Sequence, residues 1–305
     1  MSEQYIKVGR YNVRITYPDK ILFPKSGITK GDMIDYYHKI APMMLPYIKD
    51  RLLTMKRFVE GIDKEGFFQK NAPDYFPSWA KRVGIEKQDG GIVNYVVCNN
   101  AATLVYLSNY GCITPHVSLD RIDKLDYPDR MIFDFDPSTK DFSHVQKAAQ
   151  LVKKVLDSLK LPSFVMTTGS RGLHVVIPLR RVHTFDYVRS FAREISQLLE
   201  KLNPGLVTTE IRKNKRGSRV FVDYLRNAFG QTSVAPYAVR AKPSAPIATP
   251  ISWQEALSPK LKPNTYTIKN IFKHLAKNPD PWKELKASAS SLSRAQKLFE
   301  KKYSE

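Results

Sequence analysis

MIFDFDPS, residues 131–138, sets two aspartates one residue apart inside an otherwise apolar run. Charged side chains are seldom buried unless they are paired or bind a metal. In a β-strand successive side chains alternate faces. Met131, Phe133 and Phe135 would point one way and Asp134 and Asp136 the other, with the two aspartate Cα atoms ~7 Å apart. The aromatics are then expected beneath helices and both carboxylates on an open sheet face.

The flanking sequence extends this strand into a larger unit. The spacing predicts a helix over 144–160 capped by Ser143, with Val145, Ala148, Val152, Val155 and Leu159 on one face. Strands at 163–168 and 173–178 flank the tight turn GSRG. A helix over 185–202 follows Thr184, with Val188, Phe191, Ile195, Leu198 and Leu202 aligned, and strands follow at 206–211 and 219–225. This order is βαββαβ, the split-βαβ or ferredoxin-like arrangement. The fold class is therefore α+β.

In that topology the first and last strands are neighbours. In RVFVDYL, 219–225, Phe221 and Asp223 share a face, so Asp223 is expected to join Asp134 and Asp136. Three clustered carboxylates repel one another unless a cation neutralises them. Hard divalent ions suit such an all-oxygen set completed by phosphate, and two of them, Mn²⁺ or Mg²⁺, are expected here. D-x-D alone also occurs in turns and calcium loops, so the joint placement carries the inference. TTGSRGLHVVIPL, 167–179, adds Thr168, Ser170, Arg171 and His174 around two turn glycines, a pattern suited to clamping a triphosphate.

The remaining chain narrows the partner. Of 305 residues, 49 are basic and 29 acidic, a net charge of +20 that points to a polyanion, nucleic acid first. No apolar run approaches the ~20 residues that cross a bilayer, and MSEQYIKVGR lacks a signal-peptide core; a cytoplasmic, nucleoid-associated address is expected, with no membrane partner. Cys98 and Cys112 are the only cysteines, which fits small core residues and excludes a multi-cysteine zinc site. IRKNKRGSR, 211–219, places Lys213, Lys215, Arg216 and Arg219 in a loop before Asp223, either gripping a phosphate backbone or merely solvated. Phe67 and Phe68 beside Lys70 suit base stacking, although strand alternation would send one of them into a core.

The chain is expected to be a single domain, 1–305, with three parts. A mixed N-terminal module, 1–125, holds a helix near 31–49 and strands near 53–58, 66–70, 92–97 and 103–107. The catalytic core is 126–240, and a proline-punctuated strap with helices spans 241–305. KQDG, 87–90, fits the K-x-D-G pattern of nucleotidyl-transferring ligases, but it runs into Gly91 as turn chemistry and the other ligase motifs are absent.

DFDP (134–137), TTGSRGLH (167–174), FVDYLRN (221–227) and APYAVRA (235–241) together resemble the archaeo-eukaryotic primase superfamily, and within it the polymerase domains of bacterial DNA ligase D. DKILFPKSGITKGD (19–32), TMKR (54–57) and GFFQK (66–70) agree, so the resemblance covers about residues 10–285. It implies a primase-polymerase fold whose RRM-like core packs against the N-terminal module. By resemblance, Asp134, Asp136 and Asp223 hold the catalytic metals. Lys56, His116, Thr168, Arg171 and Arg240 contact the incoming nucleotide, with Ser170 and His174 in the same motif. Phe67 and Phe68 stack on the template, Lys20 and Lys30 form a 5′-phosphate pocket, and Arg216 helps organise the site. Tyr17 stands where relatives often carry asparagine, Thr168 replaces a common serine, and His116 lacks the tryptophan that often follows.

The expected function is template-directed nucleotide addition that fills gaps and extends ends in double-strand break repair by non-homologous end joining. Its expected substrates are nucleoside triphosphates and DNA with gaps or 3′ overhangs and a 5′-phosphate, with Ku and a DNA ligase as partners. A replicative primase is the alternative enzyme, although those usually add a cysteine-rich zinc element. A metal-dependent nuclease and a non-catalytic RRM-like nucleic-acid-binding module are the others.

Overall fold

The structure, a computed structural model, describes residues 4–87 and 89–303. They form two compact units, Met1–Asp123 with Thr232–Ala248 and Tyr266–Ile271, and Lys124–Gln231 with Thr249–Thr265 and Phe272–Glu305. The segments after residue 241 are thus divided between the two.

The second unit carries the DFD strand, Arg130–Asp136. Its six-stranded sheet runs in the spatial order Val207–Thr208, Val220–Asp223, Arg130–Asp136, Leu173–Pro178, Phe164–Thr167, Pro250–Ile251. The four strands of the βαββαβ set therefore lie last-first-third-second, as the ferredoxin-like topology requires. Pro250 sits on an edge strand, where the missing N–H costs no ladder bond. Met131, Phe133 and Phe135 are fully buried, as are Val145, Ala148 and Val152 of helix Phe142–Ser158 and Val188, Ala192 and Ile195 of helix Phe185–Leu202.

Two local expectations change here. Helix Phe142–Ser158 is capped by Asp141, whose carboxylate accepts from the Ser143 N–H at 2.9 Å, and not by Ser143. The carboxylate is the better partner for the positive end of the helix. The strand expected over 206–211 shrinks to Val207–Thr208, because Glu200 draws the Thr208 and Thr209 hydroxyls (2.8 and 2.6 Å) and turns the chain away.

The first unit is built on a sheet in the order Thr232–Val234, Cys112–Ser118, Leu53–Arg57, Ile92–Val96, Arg82–Glu86, with Phe67–Gln69 also pairing on Leu53–Arg57. Helix Lys30–Ile48 opens with a reciprocal capping box, Thr29 with Asp32, and buries Ile40, Ala41 and Met44 despite Pro42 and Pro46 within it. The segment expected as a strand over 103–107 is part of a helix, Ala101–Asn109, because Asn100 caps it by accepting from the Thr103 N–H at 2.8 Å. Cys98 and Cys112 are both buried free thiols, and burial pushes the Cys112 thiol up to about 12. At 87–90 the Lys87 carbonyl accepts from the Gly90 N–H, a turn; Gln88 lies outside the described residues.

Candidate active site

The antiparallel ladder decides which side chains of the second unit meet. Asp134 is directly opposite Asp223 on one side and His174 on the other, so the three project from one face of adjacent strands. His174 Nε2 lies 3.3 Å from Asp134 Oδ1. Arg226 reaches the Oδ2 atoms of Asp223 and Asp134 at 3.1 and 3.9 Å. Asp136 lies two residues along the same face, opposite Phe221.

Crowding shows in the proton equilibria. Burial raises the Asp136 carboxyl and the charge of Asp134 raises it further, against the pull of Arg171 and His174. Burial also raises Asp223, opposed by Arg226 and reinforced by Asp134. Both carboxylates are thus short of positive charge. Among the described residues no group of three His, Cys, Asp or Glu side chains is preassembled to hold a metal ion. Asp134 turns Oδ1 toward His174 and Oδ2 toward Arg226. The donor chemistry still fits a hard cation, since all three groups are carboxylates on one face and two are underneutralised.

Two residues that the sequence did not single out hold this face. Asn227 is completely buried. Its Oδ1 accepts from the Ile132 N–H at 2.8 Å, while its Nδ2 donates to the Ile132 carbonyl at 2.7 Å and the Tyr224 carbonyl at 2.9 Å. The amide thereby replaces a rung of the ladder just beyond Asp223. The other is Arg226, within the quoted FVDYLRN but assigned no role there. An arginine three residues after a platform aspartate was the available signal.

The Thr168–Gly172 turn is built differently from a simple phosphate cradle. The Thr168 hydroxyl is buried, accepts from the Ser170 and Gly172 N–H groups at 3.3 and 3.1 Å, and donates to the Gly172 carbonyl. Those two N–H groups are therefore used inside the turn, and Thr168 shapes it. A Cβ on Gly172 would collide with the Phe135 carbonyl oxygen, so only glycine lets the turn approach the DFD strand. Arg171 is exposed beside a cavity of ≈ 810 Å³ that Lys140 and Lys262 also line.

In the loop after Thr209, Lys213 and Lys215 are exposed and Arg216 is buried. The Arg216 guanidinium donates to the carbonyls of Glu210 and Ile211 (2.9 and 2.7 Å) and covers the Phe221 ring at 3.8 Å. Arg219 donates to the carbonyls of Arg216 and Lys215 and pairs with Glu200 at 3.6 Å. Both arginines here brace the loop.

The first unit carries the other predicted residues. Phe67 and Phe68 are both exposed, 46% and 59%, so neither goes to the core that strand alternation would give one of them. The Lys56 ammonium lies 5.0 Å above the Phe68 ring, whose edge meets His116 at 5.4 Å. Burial, then Arg240 and Lys242, lowers the Lys56 ammonium, so these three cations share one neighbourhood. Lys70 is exposed. Lys20 and Lys30 are joined through their backbones at 2.8 Å. Lys20 pairs with Glu60 at 2.7 Å, while the buried Lys30 ammonium donates to the Thr16 hydroxyl and is lowered to about 8 by burial and by Lys20. Tyr17 beside them is exposed with φ of 50°.

Known proteins share this architecture. Over 91% of this chain and 99% of its own, the "Polymerase Domain from Mycobacterium tuberculosis Ligase D in complex with DNA" superposes with a TM-score of 0.85 at 30% identity. The multifunctional non-homologous end joining protein LigD of Mycolicibacterium smegmatis is 33% identical over 82% of this chain, and the bifunctional LigD of Bacillus subtilis 32% identical over 88%. The chain spans 33% and 43% of those two proteins' lengths. Residues 29–282 match the LigD primase-polymerase domain, and the chain therefore belongs to that family.

Proposed function

We propose that this protein is a metal-dependent, template-directed nucleotidyltransferase that fills gaps and extends ends in non-homologous end joining. The observation that carries it is the register setting Asp134 between Asp223 and His174 on one face, where burial leaves the carboxylates in need of positive charge. A pure binding module of this topology stacks bases on sheet aromatics. Here the equivalent face presents carboxylates that repel a phosphate backbone unless cations intervene.

Asp134, Asp136 and Asp223 would hold two Mn²⁺ or Mg²⁺ ions, which when bound activate the attacking hydroxyl and stabilise the leaving pyrophosphate. His174 orients Asp134, Arg171 offers a forked donor to phosphate oxygens, and Thr168 fixes the turn that carries it. Lys56, His116 and Arg240 are assigned to the nucleotide, and Phe67 and Phe68 to the template, by family resemblance supported by their exposed aromatic-cationic setting. Lys20 and Lys30 are assigned to a downstream 5′-phosphate. Ku and a DNA ligase are the proposed partners.

The test is nucleotide addition on a gapped, 5′-phosphorylated duplex with Mn²⁺ and nucleoside triphosphates. The wild-type protein extends the primer and Asp134→Ala/Asp136→Ala does not. Cleavage without extension, or equal extension by both proteins, refutes the assignment.

A further inference from the structure

Phe67 and Phe68 account for only part of the exposed aromatic surface of the first unit. The Arg57 guanidinium lies 5.3 Å from the Phe67 ring on one side and 3.5 Å from the Tyr110 ring on the other. Tyr110 continues to Tyr75, whose ring is 6.2 Å away and whose hydroxyl meets that of Tyr110 at 2.8 Å. Tyr75 is 68% exposed, more than either phenylalanine. Four groups with planar faces, Phe67, Arg57, Tyr110 and Tyr75, thus follow one another across the surface.

The support beneath them is rigid. Phe76 is buried and meets Tyr106 and Tyr110 edge-on at 5.0 and 4.9 Å. Arg82 donates to the carbonyls of Pro73 and Asp74, tying down the turn that presents Tyr75. Ordering costs at this surface are therefore met before any ligand arrives. Among the described residues Arg57 hydrogen-bonds two neutral groups, the Tyr110 carbonyl and Gln69 Oε1, and pairs with no carboxylate. The Tyr110 hydrogen bond raises the Tyr75 phenol to about 12, which keeps it neutral.

We propose that Tyr75 and Tyr110, linked to Phe67 through Arg57, form a second stacking station for a single-stranded polynucleotide that continues beyond the Phe67–Phe68 pair. Aromatic faces interleaved with an uncompensated cation match bases alternating with phosphates, and base–aromatic stacking is sequence-tolerant. Flat faces in series with a cation between them favour bases and phosphates in alternation over a folded protein surface. The proposal deepens the template-binding reading above and rests on it.

The test measures binding without metal or nucleotide. Labelled duplexes carrying single-stranded tails of one, three or six nucleotides are titrated by fluorescence anisotropy. A second set carries 2-aminopurine at successive tail positions. Affinity for the wild-type protein rises with tail length, Tyr75→Ala loses about fivefold or more of that gain at six nucleotides, and Tyr75→Phe keeps it. 2-Aminopurine emission changes at one distal position with the wild-type protein and not with Tyr75→Ala, while thermal melting checks that both variants fold. Equal length dependence in wild type and Tyr75→Ala, as a protein-docking surface would give, overturns the proposal. Extension of a one-nucleotide gap is run in parallel. If the wild type fails to extend yet shows the Tyr75-dependent gain, the polymerase reading falls and the stacking station stands.

Discussion

Asp134 and Asp223 face each other across one rung of an antiparallel ladder, and Arg226 reaches both, at 3.9 and 3.1 Å. A single guanidinium thus supplies part of the positive charge that the paired carboxylates need. Two acidic groups from segments 89 positions apart would repel strongly at this spacing in a medium less polar than water.

Arg226→Met is therefore expected to lower the stability of the metal-free protein. Because Arg226 is partly exposed, solvent screening limits the loss to about 1 kcal/mol. Mn²⁺ should raise the melting temperature of the variant more than that of the wild type. Equal shifts would mean that the cation and Arg226 do not serve the same carboxylates.

Asn227 stands in for a strand pair by bonding both main-chain groups of Ile132. Asn227→Ala leaves a buried N–H and carbonyl unmatched, at a cost of about 2–3 kcal/mol. Denaturant unfolding reads this directly, and primer extension should fall with it because Asp223 loses its lateral anchor. Unchanged stability would show that water replaces the amide.

Gly172→Ala forces a methyl group against the Phe135 carbonyl oxygen, backbone on backbone. Neither side yields cheaply, so a loss of about 3 kcal/mol is expected on thermal or denaturant unfolding. A melting curve that overlays the wild type would contradict the close approach.

Lys30 gives a pH dependence. Its ammonium is lowered from 10.5 to about 8 by burial and Lys20, so the folded protein loses this proton before the unfolded chain does. Its contribution to stability therefore increases as pH rises from about 8 toward 10.5. The preference for a 5′-phosphate over a 5′-hydroxyl end runs the other way, falling about tenfold between pH 7 and 9 as the charge is lost. Lys30→Met should flatten that profile. A wild-type preference that does not change across this range would remove Lys30 from the phosphate pocket.

The DFD strand was legible because strict alternation of aromatics and aspartates leaves one way to bury Phe133 and Phe135, and two strongly periodic helices fixed the βαββαβ order around it. Harder to read was whatever depends on side chain meeting backbone. Asn100 turns 101–109 into a helix although Thr103, Leu104, Val105 and Tyr106 suit a strand. Pro115 disguised Cys112–Ser118, an inner strand of its sheet, since proline argues against such a position. The candidate site divided the same way. Its carboxylates could be read from alternation, whereas Arg226, Asn227 and the inward use of the Thr168 hydroxyl depend on contacts that no local pattern announces.

The decisive measurement counts Mn²⁺ ions by electron paramagnetic resonance in the presence of a non-hydrolysable nucleotide. Two bound ions per wild-type chain are expected, with both lost from Asp134→Ala/Asp136→Ala. Wild-type occupancy in that double variant would contradict the assignment.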